Sequence, residues 1–414
     1  MSTAQPFHDV RMKGFRDRSE VPVVLALLDA RVATLPGEPV APVAAAGRVL
    51  AEPVVSTVDV PAFARAAMDG FAVRGADTFG ADAFNPLPLA IVGEAYPGRP
   101  FAGVVRPGEA VRIMTGAPLP DGADAVLPAE DAETSGARVL ARGAVAPGRH
   151  VSRVGEDVAR GRTVLAAGRR LRPQDVGLLA SIGAASVSVV RRPRVAILVT
   201  GNELLPPGSS PGPHQIIDSN SPMLAALVAR DGGECLPVRY LPDDYTAVRD
   251  AIRDAAADVV LVSGGSSVGV EDHAPRAVAE LGQLAVHGVA LRPAAPTGLG
   301  FIGSRIVFLI PGNPVSCLCA YDLFAGRAIR RLGGRAPELP YRRASIPLAS
   351  KIVSAVGRID YVRVKIENGQ ATPIAVSGAS ILFTTVVADG FVLVERDREG
   401  HAPGEVVEVW LYDM

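Results

Sequence analysis

The stretch VAILVTG (195–201), SPMLAALVARDGG (221–233), CLPVRYL (235–241), YTAVRDAIRDAAA (245–257) and DVVLVSGG (258–265) decides the fold. Short runs rich in Val, Ile and Leu alternate with segments whose apolar residues recur at helical spacing. That alternation predicts a doubly wound α/β domain, because parallel strands covered by helices on both faces read as continuous apolar runs. The helix starts agree. Ser221 precedes Pro222 and Asn313 precedes Pro314, each a capping residue followed by proline at the first helical position.

Outward from this centre the texture changes. Residues 20–34 place Val24, Leu27, Leu28 and Val32 at helical spacing after Pro22, which predicts an amphipathic helix. From 59 to 150 the apolar runs are short and broken by Gly and Pro, the pattern of a small β domain. RPQDVGLLASIGAASVSVV (172–190) reads as a short helix and then a strand, packing with the opening helix. After LGGRAPELP (332–340) the chain alternates to its end, as in RIDYVRVKI and EVVEVWLYDM, predicting a barrel-like C-terminal β domain. The expected parts are therefore a split helical linker domain (1–58 and 151–190), a small β domain (59–150), the α/β domain (191–335) and the C-terminal β domain (336–414).

Composition narrows the function classes. Lys and Arg number 42 against 43 Asp and Glu, so no global field gathers nucleic acid or anionic lipid. The three cysteines, Cys235, Cys317 and Cys319, form no CxxC pair, which argues against a disulfide framework or a structural zinc site and fits a reducing compartment. Cys317 and Cys319 read as a buried helix face. The start lacks an apolar signal core and no run reaches membrane-span length, so a cytoplasmic protein without membrane or nucleic-acid contact is expected. Six scattered histidines show no HExxH spacing, and no GxSxG elbow is present.

Ligands of an open α/β sheet bind at the carboxyl ends of its strands. Those ends carry Thr200, Gly201, Asn202 and Glu203; Asp243; Ser263, Gly264, Gly265, Ser267, Gly269 and Asp272; and Pro311, Gly312, Asn313, Pro314 and Ser316. SGGSSVG and PGNPVS suit phosphate, since glycine lets backbone N–H groups approach an anion and a helix N-terminus favours it. Taken singly, Glu203, Asp243 and Asp272 read equally well as helix caps or solvated loop residues. Together they suit a magnesium ion shared with phosphates, because magnesium takes one or two carboxylates plus phosphate oxygens and water. Two further clusters, AFARAAMDGFAVRGAD (62–77) and VRIMTGAPLP (111–120), read by spacing alone as a hairpin turn and a strand end.

The motifs AMDGFAV, RIMTGAP, GEDV, TGNEL, DSN, SGGSSVG, PGNPVS and GRIDYVR, in this order, resemble the bacterial MoeA family of molybdopterin molybdenumtransferases, related to the C-terminal part of gephyrin. The resemblance spans essentially the whole chain. It implies the four-part architecture above, an elongated homodimer, and insertion of molybdate into adenylylated molybdopterin with a divalent cation and release of AMP. By motif position it implies Asp69, Thr115, Glu203, Asp243 and Asp272 as polar site residues. Asp69 and Thr115 would come from the partner subunit, and the metal would lie near Glu203, Asp243 and Asp272. Asp272 could instead bond pterin nitrogens. It further implies contact with the molybdopterin adenylyltransferase and with molybdoenzyme chaperones.

The sequence departs from the family pattern at specific positions. Ala64 and Ala66 stand where the family has an Asp or Asn and a Ser, Val270 where a Glu is frequent, and Pro293-Ala294-Ala295-Pro296 where it has PGKP. Arg292 is then the expected cationic clamp. Loss of the lysine raises an alternative, a diverged paralogue that carries or regulates molybdopterin without inserting metal. A third reading, the related competence-protein class with the same α/β fold, is opposed by the AMDG and RIMTGAP segments.

Overall fold

The computed structural model describes residues 18–265, 272–375 and 378–412. The chain divides into two compact units, one holding residues up to 38, 47–51 and 189 onward, the other holding 39–46 and 52–188.

The first unit opens with helix α1 (Val21–Arg31), which has Pro22 in its first turn. Its Val21, Val24 and Leu28, with Val32 just beyond, sit in one core with Val195, Ile197 and Phe301. Leu27, expected on the same face, is half-buried.

In the second unit, β1 (Gly70–Val73), β2 (Leu87–Ala95), β3 (Glu109–Ile113), β4 (Ala125–Pro128), β5 (Ala132–Ser135) and β6 (Arg138–Ala141) form a six-stranded sheet in the order β4-β1-β3-β2-β6-β5. This is the predicted small β region. Within residues 151–190 the expected short helix, α2 (Pro173–Ser181), is followed by a strand (Val187–Val190), and short strands precede it, but up to 188 these residues belong to the second unit while α1 belongs to the first. Here tertiary pairing overrides local pattern: Thr163–Leu165 pairs with Val54–Val55, and Val151–Ser152 with Arg65–Ala66, partners distant in sequence.

The centre of the chain returns to the first unit. It runs β7 (Arg194–Thr200), α3 (Asn220–Arg230), β8 (Glu234–Cys235), β9 (Arg239–Leu241), α4 (Tyr245–Arg253), β10 (Val259–Ser263), α5 (Ala274–Leu281), β11 (Gln283–His287), β12 (Leu291–Arg292), β13 (Gly298–Ile302), β14 (Arg305–Ile310) and α6 (Pro314–Ala320). β7 pairs in parallel with β8, β9 and β10, and β10 with β14, while β13 and β11 extend that edge antiparallel. CLPVRYL, which reads as one strand, is two, because Pro237 has no N–H to give the ladder.

Alternation along β7 shows both faces covered. Val195, Ile197 and Val199 join one buried cluster with Leu224 and Val228 of α3, while Ala196 and Leu198 join the other with Val248 and Ile252 of α4 and Val278 of α5. α6 continues through one π-helical turn (Tyr321–Ala325) into α7 (Gly326–Leu332). The π turn leaves Asp322 fully buried, where it accepts from Arg230 at 3.0 Å and from the Tyr341 hydroxyl at 3.0 Å.

The C-terminal sheet contains β15 (Arg342–Pro347), β16 (Ile359–Glu367), β17 (Gln370–Ala375), β18 (Gly390–Val394) and β19 (Val406–Leu411). Its order is β12-β16-β18-β19-β15, with β17 on β16. Among the described residues no helix is long and apolar enough to cross a membrane.

Candidate functional site

A cleft of about 650 Å³ opens at the carboxyl ends of β7, β9, β10 and β14. Most of its walls come from the strand-to-helix connections of the central sheet and the residues that flank them. Thr200 ends β7 and Gly201 and Glu203 follow it, Asp243 follows β9, and Ser263, Gly264 and Gly265 close β10. Asp272 precedes α5, and Gly312, Asn313 and Pro314 lead into α6. The sequence-based candidates therefore converge from four separate loops.

Backbone geometry explains the glycines. Gly264 takes φ +91°, and a Cβ there would lie 2.4 Å from the Thr200 carbonyl oxygen, so only glycine lets β10 turn away beside the end of β7. The Gly264 N–H is tied to the Ile310 carbonyl at 3.2 Å, which fixes the turn against β14. Beneath it the Thr200 hydroxyl is buried without a hydrogen-bond partner among the described residues.

The carboxylates differ in setting. Asp243 accepts from the Asn202 N–H at 2.9 Å, and its own N–H donates to the Asn202 side-chain oxygen at 3.3 Å, so the first two loops are stitched together. Glu203 is exposed, while Asp243 and Asp272 are half-buried. Asp218 is buried and accepts from the Asn220 N–H at 2.8 Å and from the Tyr240 hydroxyl at 3.0 Å. Burial pushes the Tyr240 phenol above its ordinary range, keeping it a donor.

Four carboxylates line the cleft, and no Lys, Arg or His does among the described residues. Glu203, Asp243 and Asp272 share it without forming a ready-made cage: no three His, Cys, Asp or Glu among the described residues are grouped to hold a metal. The donor set still suits magnesium, which needs only one or two carboxylates when phosphate oxygens and water complete its shell.

Several expected residues lie elsewhere. Pro311 and Ser316 are buried and absent from the cleft lining. Asn202 is likewise not a lining residue, acting through Asp243. Arg292, the expected clamp, does not line the cleft and pairs with fully buried Asp360 of β16, which also accepts from Arg358 at 3.0 Å and Ser354 at 2.8 Å. Its β12 position in register with Asp360 directs it into the C-terminal sheet. Ser267, Gly269 and Val270 lie outside the described residues.

Sequence reasoning missed Asp218, Ser219 and Asn220 as lining residues, although DSN directly ahead of an apolar helical run was a readable cap signal. It also missed Ser380, which enters from the C-terminal part with no local motif to announce it. Cys317 and Cys319 are fully buried on α6, and burial pushes both thiols far up, away from the reactive thiolate form.

In the second unit Asp69 and Thr115 meet directly. The Thr115 N–H and hydroxyl both donate to one Asp69 carboxylate oxygen at 2.7 Å, which lowers the Asp69 pKa, the backbone bond contributing most.

Comparison with known proteins covers nearly the whole chain. Three family models match in succession: the MoeA N-terminal region (domain I and II) over residues 20–183, a probable molybdopterin binding domain over 196–331, and the MoeA C-terminal region (domain IV) over 345–412. The chain is 36% identical to molybdopterin molybdenumtransferase 2 of Mycobacterium tuberculosis, across 88% of this chain and 93% of that protein. It is 32% identical to the molybdopterin molybdenumtransferase of Haemophilus influenzae, across 88% and 91%. The crystal structure of a molybdopterin biosynthesis MoeA protein from Pyrococcus horikoshii superposes with a TM-score of 0.83 at 34% identity, covering 96% of this chain and all of that one.

Proposed function

The chain belongs to the MoeA family, and on that premise we propose that it is a molybdopterin molybdenumtransferase, inserting molybdate into adenylylated molybdopterin with release of AMP. The observation that carries this reading is the cleft at the strand ends, with four carboxylates, glycine turns and no cationic side chain among its described residues. An anionic nucleotide entering such a cleft meets unfavourable charge unless a cation comes with it. A bound magnesium ion supplies that charge and stabilises the negative charge that develops as the phosphoanhydride breaks.

The chain's own groups then have defined tasks. Asp243 and Asp272 hold the cation from two loops, Glu203 orients water at the open side, and the backbone at Gly264, Gly265 and Gly312 accommodates phosphate close to the main chain. Asp69 and Thr115 act as one unit contributed across a homodimer. Such an enzyme works in the cytoplasm, taking substrate from the adenylyltransferase and passing cofactor to molybdoenzyme chaperones.

The test is AMP release from adenylylated molybdopterin by the full-length protein with magnesium, with and without molybdate, and with Asp272→Ala as control. Molybdate-dependent release lost in the control supports the reading. Pterin binding without release overturns it in favour of a carrier paralogue, a reading favoured by one observation, the engagement of Arg292 by Asp360 in place of a free clamp.

A further inference from the structure

Asp243 and Asp272 reach the cleft from different loops, and each is followed closely by an aromatic ring. Tyr245 opens α4, and His273 directly precedes α5. The two rings meet edge to face with centroids 6.1 Å apart, inside the range in which aromatic pairs attract. Tyr245 is held on its other sides as well. Its hydroxyl donates to Glu280 of α5, the Arg276 guanidinium lies 4.5 Å above its ring, and Arg276 bonds Glu280 at 2.8 Å. Arg249 of α4 approaches the same ring at 5.7 Å.

These contacts join the first turn of α4 to α5, two residues after Asp243 and one residue after Asp272 along the chain. A ring has few rotatable bonds, so contact between two rings fixes a distance that aliphatic side chains would leave free. Asp243 is anchored on its far side through Asn202, so movement of α4 relative to α5 would change the gap between the two acids.

We propose that Tyr245 and His273 form a ring clamp that sets the separation of Asp243 and Asp272 and thereby the affinity of the cleft for a divalent cation. The inference rests on the magnesium-assisted reading of the cleft given above. Both are positioning residues: neither lines the cleft, and both act through the acids beside them. Magnesium demands short, nearly octahedral oxygen contacts, so a small change in spacing is felt first as lost metal affinity.

The experiment titrates Mn2+, read by its electron paramagnetic resonance signal, into the full-length protein saturated with AMP. Tyr245→Leu, Tyr245→Phe and His273→Leu are compared with Asp243→Ala and Asp272→Ala, and thermal melts report folding. Expected are about a tenfold weaker Mn2+ affinity in Tyr245→Leu and in His273→Leu, the size seen when groups behind metal ligands are removed, and native affinity in Tyr245→Phe. In turnover the metal KM rises while kcat at saturating metal is retained. Native affinity in both leucine variants, with loss in either aspartate variant, overturns the clamp and leaves the site standing. An equal loss in Tyr245→Phe also overturns it, since the ring would then not be the active feature. Unchanged affinity in both aspartate variants overturns clamp and site together. His273→Leu serves if Tyr245→Leu does not fold.

Discussion

Thr115 gives both its N–H and its hydroxyl to a single oxygen of Asp69, each at 2.7 Å. Two donors on one oxygen stabilise the carboxylate and leave the other oxygen to face outward. Thr115→Val removes the hydroxyl bond and keeps the larger backbone one, so the Asp69 pKa should rise toward 3.8 without reaching it. Carboxyl carbon NMR during an acid titration checks this. A native Asp69 titration in the valine variant would show that the hydroxyl does not contribute.

Gly264 offers a sharper test of the cleft. Gly264→Ala forces a Cβ against the Thr200 carbonyl at a φ of +91°. The left-handed conformation alone costs about 1–2 kcal/mol, and the collision must displace the end of β7 or β10. Molybdate-dependent AMP release should fall on the order of a hundredfold through misplacement of the loop, with the fold retained by circular dichroism. Wild-type activity would mean that this turn does not bear on the substrate.

Asp175 governs acid stability in the second unit. It accepts from the Arg172 N–H at 2.9 Å at the start of α2 and pairs with Arg169 at 2.8 Å and Arg172 at 3.1 Å, bonds that hold its pKa far below 3.8. A depressed carboxylate stabilises the fold fully above its unfolded value and loses that contribution as pH falls through the folded value. Asp175→Asn should lower stability at pH 7 by about 1–3 kcal/mol and flatten its decline below about pH 4. Urea melts at several pH values measure both; a variant curve parallel to wild type would remove Asp175 from the account.

Ala294 carries a conformation normally left to glycine, φ +101°, while being almost fully buried. Strain there of about 1–3 kcal/mol is offset in Ala294→Gly by about 0.8 kcal/mol of lost methyl burial and about 0.5–1 kcal/mol of unfolded-chain entropy. The balance runs from a loss of about 0.8 kcal/mol to a gain of about 1.7 kcal/mol, so the glycine variant should stay near wild type, whereas Ala294→Val should lose at least about 2 kcal/mol. Denaturant midpoints decide it, and a clear loss in the glycine variant would refute the strain.

The central sheet was legible because each buried strand is local and apolar: residues 195–200 and 259–263 lie within the runs that predicted them. The cleft was legible for a related reason, since a parallel sheet gathers its strand ends whatever its loops contain. What sequence could not show are partnerships between distant segments. Arg292 reads as free until Asp360, sixty-eight residues on, is seen beside it. Ser380 and the pairing of 163–165 with 54–55 are likewise set by tertiary contact. The PAAP departure displayed a missing glycine and lysine but not that Ala294 sits at φ +101°, a conformation normally left to glycine.

β12 is only two residues long, yet it serves as the edge strand of the C-terminal sheet while lying within the chain of the α/β domain. A cut at residue 336 would accordingly strip that sheet of an outer rung and leave Asp360 without Arg292. The C-terminal sheet is thus stitched across the apparent boundary by residues 291–292.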